Sequence, residues 1–431
     1  MQSIPKTRLP DHSIFLLTQG YPHLINLFRK HNTRILQTRF AFQKVICLGG
    51  EDGAKIFYDN EKFKRENVAP TRLKDTLFGH GGVHGMDGQS HHHRKSMYMN
   101  AMTPKNIQRL NEIYIEEWKQ AIRGFALAQN INLFKESSKI IFKAIYRWAG
   151  IPFDCNEVNQ RASEIIAMID AFGGLIKRHR KGKKARVSHE AWLMNKIEEI
   201  REGKISLNEE MPAHSVAFHI DENGTLLDLH TASVAMSNMT RPALAISYFV
   251  VYQALAMDSN EEVLKKLRTD DPQYLTNFVN EVRRYYPFVP MLGARAKTDF
   301  EYNGYQINKG QLTLLDIYGI LHDETIWEEP EKFNPDRFAN QKISPYTLLP
   351  QGGGEFDVGH RCAGEWITIE MLKISAKALS QWMKFDINSR DKNFSLTRFP
   401  SFPANGLQIN NIQNSIGENK PKTVNQIKAT P

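Results

Sequence analysis

The sequence predicts a mainly α-helical chain with a small β region. Three observations carry this: long stretches with apolar residues at helical spacing, two short alternating stretches, and one turn signal between strands. Helical spacing runs through 104–127, 157–176, 187–202, 228–257, 260–286 and 363–384. Strand-like alternation lies near 34–48 and 299–316, where Asn303-Gly304 marks a hairpin turn. The fourth helical stretch is the most informative. After Arg241-Pro242 it reads ALAISYFVVYQALAM, apolar on nearly all faces. Such a helix is buried in a core or in a bilayer; Asn238, Arg241 and its short length favour the core.

Bulk properties agree. The 431 residues are 41% hydrophobic and 24% charged, an ordinary globular composition. The length allows more than one domain, yet no linker and no internal repeat is visible. A single domain over 1–411 is expected, with a polar tail at 412–431 that frays. No apolar run is long enough to span a bilayer, and MQSIPKTRLPDHS lacks the apolar core of a signal peptide. No stable membrane insertion and a cytoplasmic location are expected.

The net charge is +9. The densest basic run, Lys177 to Arg186, could meet nucleic acid or anionic lipid. No nucleic-acid-binding motif accompanies it, so it is read as a solvated connection between helices, with no nucleic-acid partner. Cys47, Cys155 and Cys362 are odd in number and far apart, which excludes a disulfide framework and a zinc knuckle. His91 to His93 cannot share one helix face, so they make no metal site.

Cys362 stands apart. It follows a glycine-rich loop, Gly352 to Gly354 and Gly359. It precedes Ile367, Met371, Ile374 and Ala378 at helical spacing. A thiol at a helix N-terminus is biased toward the thiolate that ligates metal, and the glycines allow close backbone approach to the sulfur or to a flat cofactor. Taken alone, a lone cysteine is an inert core residue. Two further segments bear on it. In EVRRYYPF, Glu281 and Arg284 are three apart and can pair. In HDETIWEEPEKFNPDRF, Arg337 and Phe338 lie shortly before the glycine run.

In this order and spacing the segments resemble the cytochrome P-450 superfamily, from about residue 35 to 410. The resemblance implies that fold and a haem b held by Cys362 as the iron's axial ligand. Cysteine-thiolate ligation of this class is a standard example of haem chemistry. It also implies a buried network of Glu281, Arg284 and Arg337. Two departures stand out. The stretch SNMTRPALAI has Arg241 and Pro242 where most members carry an acid–threonine pair. His360 stands two before the cysteine where most place Arg. LFGHGGVHGMDGQSHHHRK, EVRRYYPFVP and QGGG…GHRCAGEW are similar to the bacterial fatty-acid peroxygenases, including alkene-forming decarboxylases.

That branch implies hydrogen peroxide as oxidant, a long-chain fatty acid as substrate and no obligatory redox partner. It implies oxidation at the α or β carbon, giving hydroxy acids or terminal alkenes. Arg241 then anchors the carboxylate, because a buried guanidinium needs an anion. From the residues alone, a protein carboxylate serves equally. Pro242 removes a helix hydrogen bond and opens space. His84 takes a pocket position similar to alkene-forming members, although its residue type reads first as an exposed turn histidine. Phe78, Ile169, Phe172 and Phe288 match pocket positions that plain core packing would also explain. His91, Lys95 and His360 are expected at the cofactor. The alternatives are a haem monooxygenase fed by a redox partner and a non-catalytic haem ligand-binding protein.

Overall fold

The computed structural model describes residues 2–341, 343–388 and 392–417. Helices α1 (Ser13–Gln19) and α2 (His23–His31) precede the hairpin β1 (Ile35–Phe40) and β2 (Gln43–Leu48). Then come α3 (Gly50–Phe57), β3 (Phe63–Lys64), the short α4 (Thr71–Leu73) and α5 (Gly88–Ala101). The helical body follows: α6 (Pro104–Ala128), β4 (Asn130–Asn132), α7 (Leu133–Ala149), α8 (Val158–Asp170), α9 (Ile176–Arg201), α10 (Pro212–Ala217), α11 (Leu229–Leu244), α12 (Ile246–Ser259), α13 (Glu261–Arg268) and α14 (Pro272–Tyr285). The chain then forms β5 (Met291–Ala296), β6 (Phe300–Tyr302), β7 (Tyr305–Ile307), β8 (Leu312–Asp316) and α15 (Ile317–Leu321). It closes with α16 (Glu365–Lys377), β9 (Met383–Ile387) and β10 (Gln408–Asn414).

The expected class holds, and local signals explain many boundaries. Thr103 caps α6 by accepting from Asn106 N at 3.3 Å, and Pro104 fills the first helical position, where no N–H is missed. Asn132 caps α7 in the same way, and Gly150 ends it at φ +85°. Asp228 caps α11. The main core packs α6, α7, α8, α9, α11, α12, α14 and α16 around Trp118, Trp148, Phe142 and Tyr248, all fully buried.

The five-stranded sheet runs β1-β2-β8-β5-β3, with only β2 and β8 parallel. β6 and β7 form the hairpin expected around Asn303-Gly304. Asp316 closes β8 and caps α15, accepting from Gly319 N at 2.9 Å, while its other oxygen is buried without a partner. Burial raises its pKa to about 7. The neutral form is therefore favoured in the fold. Its stabilisation is complete below about pH 4 and is lost as pH rises through 7. Denaturant midpoints should fall between pH 5 and pH 8, and Asp316→Asn should flatten that part of the slope. An unchanged slope in the variant would assign it to other groups.

Several expected elements differ. The stretch 157–176 ends at Asp170, and 260–286 is two helices broken before Pro272. The stretch 228–257 is interrupted at Ala245, three residues after Pro242, where Ala245 N donates to the Pro242 carbonyl at 3.1 Å. The basic run is no connection: Lys177 to Arg186 lie inside α9. Gly182, which reads as a breaker, is there for contact. A Cβ would stand 2.4 Å from Ala171 Cβ and 2.9 Å from the Ala167 carbonyl oxygen, so α9 needs glycine to pack on α8. Helices α5 and α7 were not among the expected segments. Residues 412–415, expected in the polar tail, are held in the fold: β10 pairs to Asn414, and Ser415 N donates to the Trp382 carbonyl at 2.8 Å. Residues 418–431 lie outside the described residues.

Candidate active site

Cys362 sits two residues before Gly364, the N-cap of α16. Its N–H donates to the Gln351 carbonyl at 3.0 Å, which fixes the loop on the glycine run. Those glycines are needed by the chain itself. Gly352 and Gly354 hold φ of +84° and +76°, and a Cβ on Gly353 would meet Leu349 and the Pro345 carbonyl at 2.4 Å. The helix terminus was expected to lower the thiol's pKa. The net direction is upward, because burial outweighs the Gly364 N–H and the charges of Lys95 and Arg283. Coordination to a metal would deprotonate it outright.

The buried network expected below the loop is present. Glu281 accepts from Arg284 through both oxygens, at 2.7 and 2.8 Å, and from Arg337 Nε at 3.2 Å. Glu281 and Arg284 are fully buried. A second network was not foreseen. Arg283, 2% exposed, pairs with Glu365 at 2.7 Å and donates to Gln351 Oε1 at 2.9 Å and Asn280 Oδ1 at 2.9 Å. Glu365 also pairs with Arg361 at 2.6 Å. Arg283 thus holds the cysteine loop through Gln351 and Glu365, while Arg284, on the same turn of α14, ties Glu281 to Arg337 and to the Leu321 carbonyl.

Above the loop the site is cationic. Lys95, from α5, is 3% exposed and donates to the carbonyls of Phe356, Gly359 and Arg361. Burial lowers its pKa to about 8. His91 stacks on His360 at 4.1 Å, and burial presses its pKa to about 3. His360 reaches Asp87 at 3.2 Å. Arg65 donates to the Phe57 carbonyl at 3.1 Å, with a pKa lowered by burial to about 10. Arg94 is 6% exposed and its Nε is unpaired. Asp87 is the one carboxylate hydrogen-bonded within this group, and it also accepts from the backbone N–H groups of Arg65 and Glu66 at 2.7–2.9 Å. Lys95 and Arg94 are buried and Arg65 half-buried, against the single carboxylate Asp87 that bonds here, and enclosed cations in surplus need anions. Two propionates on a flat cofactor meet that need, so the residues fit a haem seated over Cys362.

On the opposite side lies the break between α11 and α12. Arg241 is 4% exposed. Its Nη2 donates to Asn238 Oδ1 at 3.0 Å, and its Nε has no partner. Among the described residues no carboxylate pairs with it, so the protein-carboxylate alternative fails. Burial and then the charge of Arg186 lower its pKa to about 9, which leaves it protonated at neutral pH. Pro242 offers Asn238 no N–H, so the i–4 carbonyl loses its bond. The Asn238 side chain donates to the Phe78 carbonyl at 2.8 Å. Asn238 therefore ties the guanidinium to the loop that carries Phe78 and His84.

His84 stacks on Phe78 at 4.6 Å. It is exposed, as a turn histidine is, while desolvation by the protein around it, with the charges of Arg241, His360, Arg186 and His91, lowers its pKa to about 3. Gly79 lets the loop close: at φ +80°, a Cβ would stand 2.3 Å from Arg186 Nη2 and 2.7 Å from Val234 Cγ1. Phe288 packs on Tyr248 and Phe249, both at 5.4 Å, in the first turn of α12. The structure thus brings together Phe78, His84, Arg241 and Pro242, while the contacts of Phe288 lie on α12. Ile169 is 3% exposed in the main core. Phe172 packs with Tyr21, Tyr318 and Phe399 in a separate cluster. Core packing is the role their contacts show.

Asn238 was missed, although its i,i+3 spacing to Arg241 was readable. Asn238→Leu should lose one charge-assisted bond, about 1.5–3 kcal/mol. It should raise the dissociation constant of a long-chain carboxylate roughly tenfold or more, measured by spectral titration of the holoprotein. An unchanged constant would remove the tether.

The cytochrome P-450 family model matches residues 264–403. Among curated relatives, cytochrome P-450 3A40 of Oryzias latipes is 28% identical over 158 residues, 32% of this chain and 31% of that protein. The Homo sapiens form 3A7 is 26% identical over 223 residues, 45% and 44%. The matches span less than half the length of these relatives. Solved structures match throughout. Cytochrome P450EX alpha (CYP152N1) with myristic acid has a TM-score of 0.92 and 38% identity, over 96% of this chain and 100% of that one. An OleT variant in complex with arachidonic acid has 0.93 and 33%, over 96% and 99%. By full-length identity and by the cysteine loop and its two networks, the chain belongs to the cytochrome P-450 family of haem-thiolate oxidoreductases, on its fatty-acid peroxygenase branch.

Proposed function

We propose that the protein oxidises long-chain fatty acids at the α or β carbon with hydrogen peroxide, yielding hydroxy acids and, by decarboxylation, terminal alkenes. One observation carries this: the Arg241 guanidinium is buried and, among the described residues, no carboxylate pairs with it. A fatty-acid carboxylate supplies that anion and fits the fork geometry. The structures with myristic and arachidonic acid show that relatives bind such acids.

A haem held by Cys362 and its cationic rim would supply peroxide activation and oxidising power. Arg241 fixes the carboxylate at the break in the helix, so the first carbons of the chain lie nearest the reacting centre. The break offers no acidic side chain, since Thr240, Arg241 and Pro242 stand there. The bound carboxylate then serves as acid–base group, taking a proton from peroxide and returning it to the departing oxygen. Desolvation and the charged neighbours of His84 disfavour its imidazolium, so it is not assigned the proton transfer; it stacks on Phe78.

The test is direct. Holoprotein, a C14–C18 acid and peroxide, without any reductase, should give hydroxy acids or alkenes by mass spectrometry. Turnover only with an electron-transfer partner would replace this reading with a monooxygenase. Acid binding without consumption would leave a haem ligand-binding protein.

A further inference from the structure

Six large hydrophobic side chains stand exposed in one part of the fold: Leu9, Ile14, Leu17, Phe42, Leu175 and Ile176, with Phe42 at 86% and Ile176 at 71%. Their elements are tied together. The N–H groups of Ala41 and Phe42, at the β1–β2 turn, donate to Ser13 Oγ and Asp11 Oδ2 at 2.6 Å, which seats that turn against the start of α1. Leu16 of α1 and Phe172, just before Leu175, pack on the same Tyr21–Phe399 cluster. The tip of the hairpin, α1 and the start of α9 therefore border one surface.

Its rim is basic. Arg8, Arg39 and Lys44 flank the apolar tips on one side, and Lys177, Arg180, Lys181 and Lys184 follow Ile176 on the other; all are exposed. From Ala171 to His189 no acid occurs. The carboxylates at its border are engaged: Asp11 with the N–H groups of Ser13 and Phe42, Asp170 with Arg178 and Arg398, Asp75 with Lys183 and His80. Among the described residues no acid pairs with Lys177, Arg180, Lys181 or Lys184, so their charge acts outward.

We propose that this surface docks the protein, peripherally and reversibly, on an anionic lipid bilayer. Aliphatic and aromatic tips inside a ring of lysine and arginine are the chemistry of an interfacial anchor. Each basic side chain near such a membrane contributes about 1 kcal/mol. A nucleic acid would use the charge but leave the six apolar tips in water. Among the described residues no helix is long and apolar enough to cross a bilayer. The proposal does not depend on the reaction, because binding is measured without substrate.

Holoprotein should co-sediment with phosphatidylglycerol-containing vesicles in low salt and leave them in high salt. Pure phosphatidylcholine vesicles should retain little. Lys181→Glu with Lys184→Glu should weaken binding by 100-fold or more, since four units of charge change. Ile176→Ser with Leu175→Ser should weaken it about tenfold or more with little change in salt dependence. Intact haem absorbance in the variants verifies folding. The proposal is overturned if wild-type protein ignores anionic vesicles, or if the charge-reversed form binds as well. It also fails if the serine variant binds undiminished while duplex DNA competes the vesicles away, which marks a nucleic-acid surface. A dimer by light scattering that the serine variant dissociates would assign the face to a second copy.

Discussion

Arg241→Ala should reduce kcat/KM for peroxide-driven oxidation of a long-chain acid by two to three orders of magnitude, leaving a folded, haem-loaded protein. The magnitude follows from burial. The guanidinium is 4% exposed and its one side-chain partner is a neutral amide. A bound carboxylate therefore completes a desolvated ion pair, and removing one partner of such a pair costs about 3–5 kcal/mol. The loss should appear in both binding and turnover. Without the anchor the acid binds weakly, and without an oriented carboxylate no group at the helix break handles the peroxide proton. Arg241→Lys should fall between, keeping the charge but losing the fork. The control is the carbonyl-complex spectrum, which reports the thiolate and should not move. Near-normal turnover in the alanine variant would end the anchor role.

The parts of this site that were legible are those written locally. Cys362 between a glycine run and a helix, Glu281 and Arg284 three apart, and Pro242 in an apolar helix all rest on short-range spacing. The second network was not legible, because Arg283 and Glu365 are 82 residues apart and meet only when α14 packs near the start of α16. The cationic rim was half seen: His91, Lys95 and His360 were expected, while Arg65 and Arg94 look like ordinary surface arginines in sequence. The basic run was misread for a different reason. Lysine and arginine favour helix, and the contact that seats the run in α9, Gly182 against α8, is between residues of two elements and is not written in the run itself. Arg186 shows the cost of reading the run as one solvated block. It is 3% exposed, donates to the Leu77 carbonyl at 2.8 Å, and lies near enough to Arg241 to depress its pKa.

Glu281→Ala should be the most damaging single change to the fold. Glu281 accepts from Nε and Nη2 of Arg284, from Arg337 Nε, and from the backbone N–H of Asn334 at 2.8 Å. Its loss leaves Arg284, fully buried, without an anion and with one remaining carbonyl bond, to Leu321 at 2.8 Å. An uncompensated buried charge costs about 3–5 kcal/mol, a large part of the 5–15 kcal/mol available to a typical domain. The damage should reach the cofactor, because α14 carries Arg283 on the next residue, and Arg283 holds Gln351, whose carbonyl binds the Cys362 N–H. Low haem content and a lowered urea midpoint are therefore expected together. Glu281→Gln separates packing from charge: it keeps the volume and one acceptor, so a loss nearly as large as that of alanine assigns the effect to the missing carboxylate charge. If glutamine restored both haem content and midpoint, volume would matter more than the anion, and the two arginines would need another counter-charge.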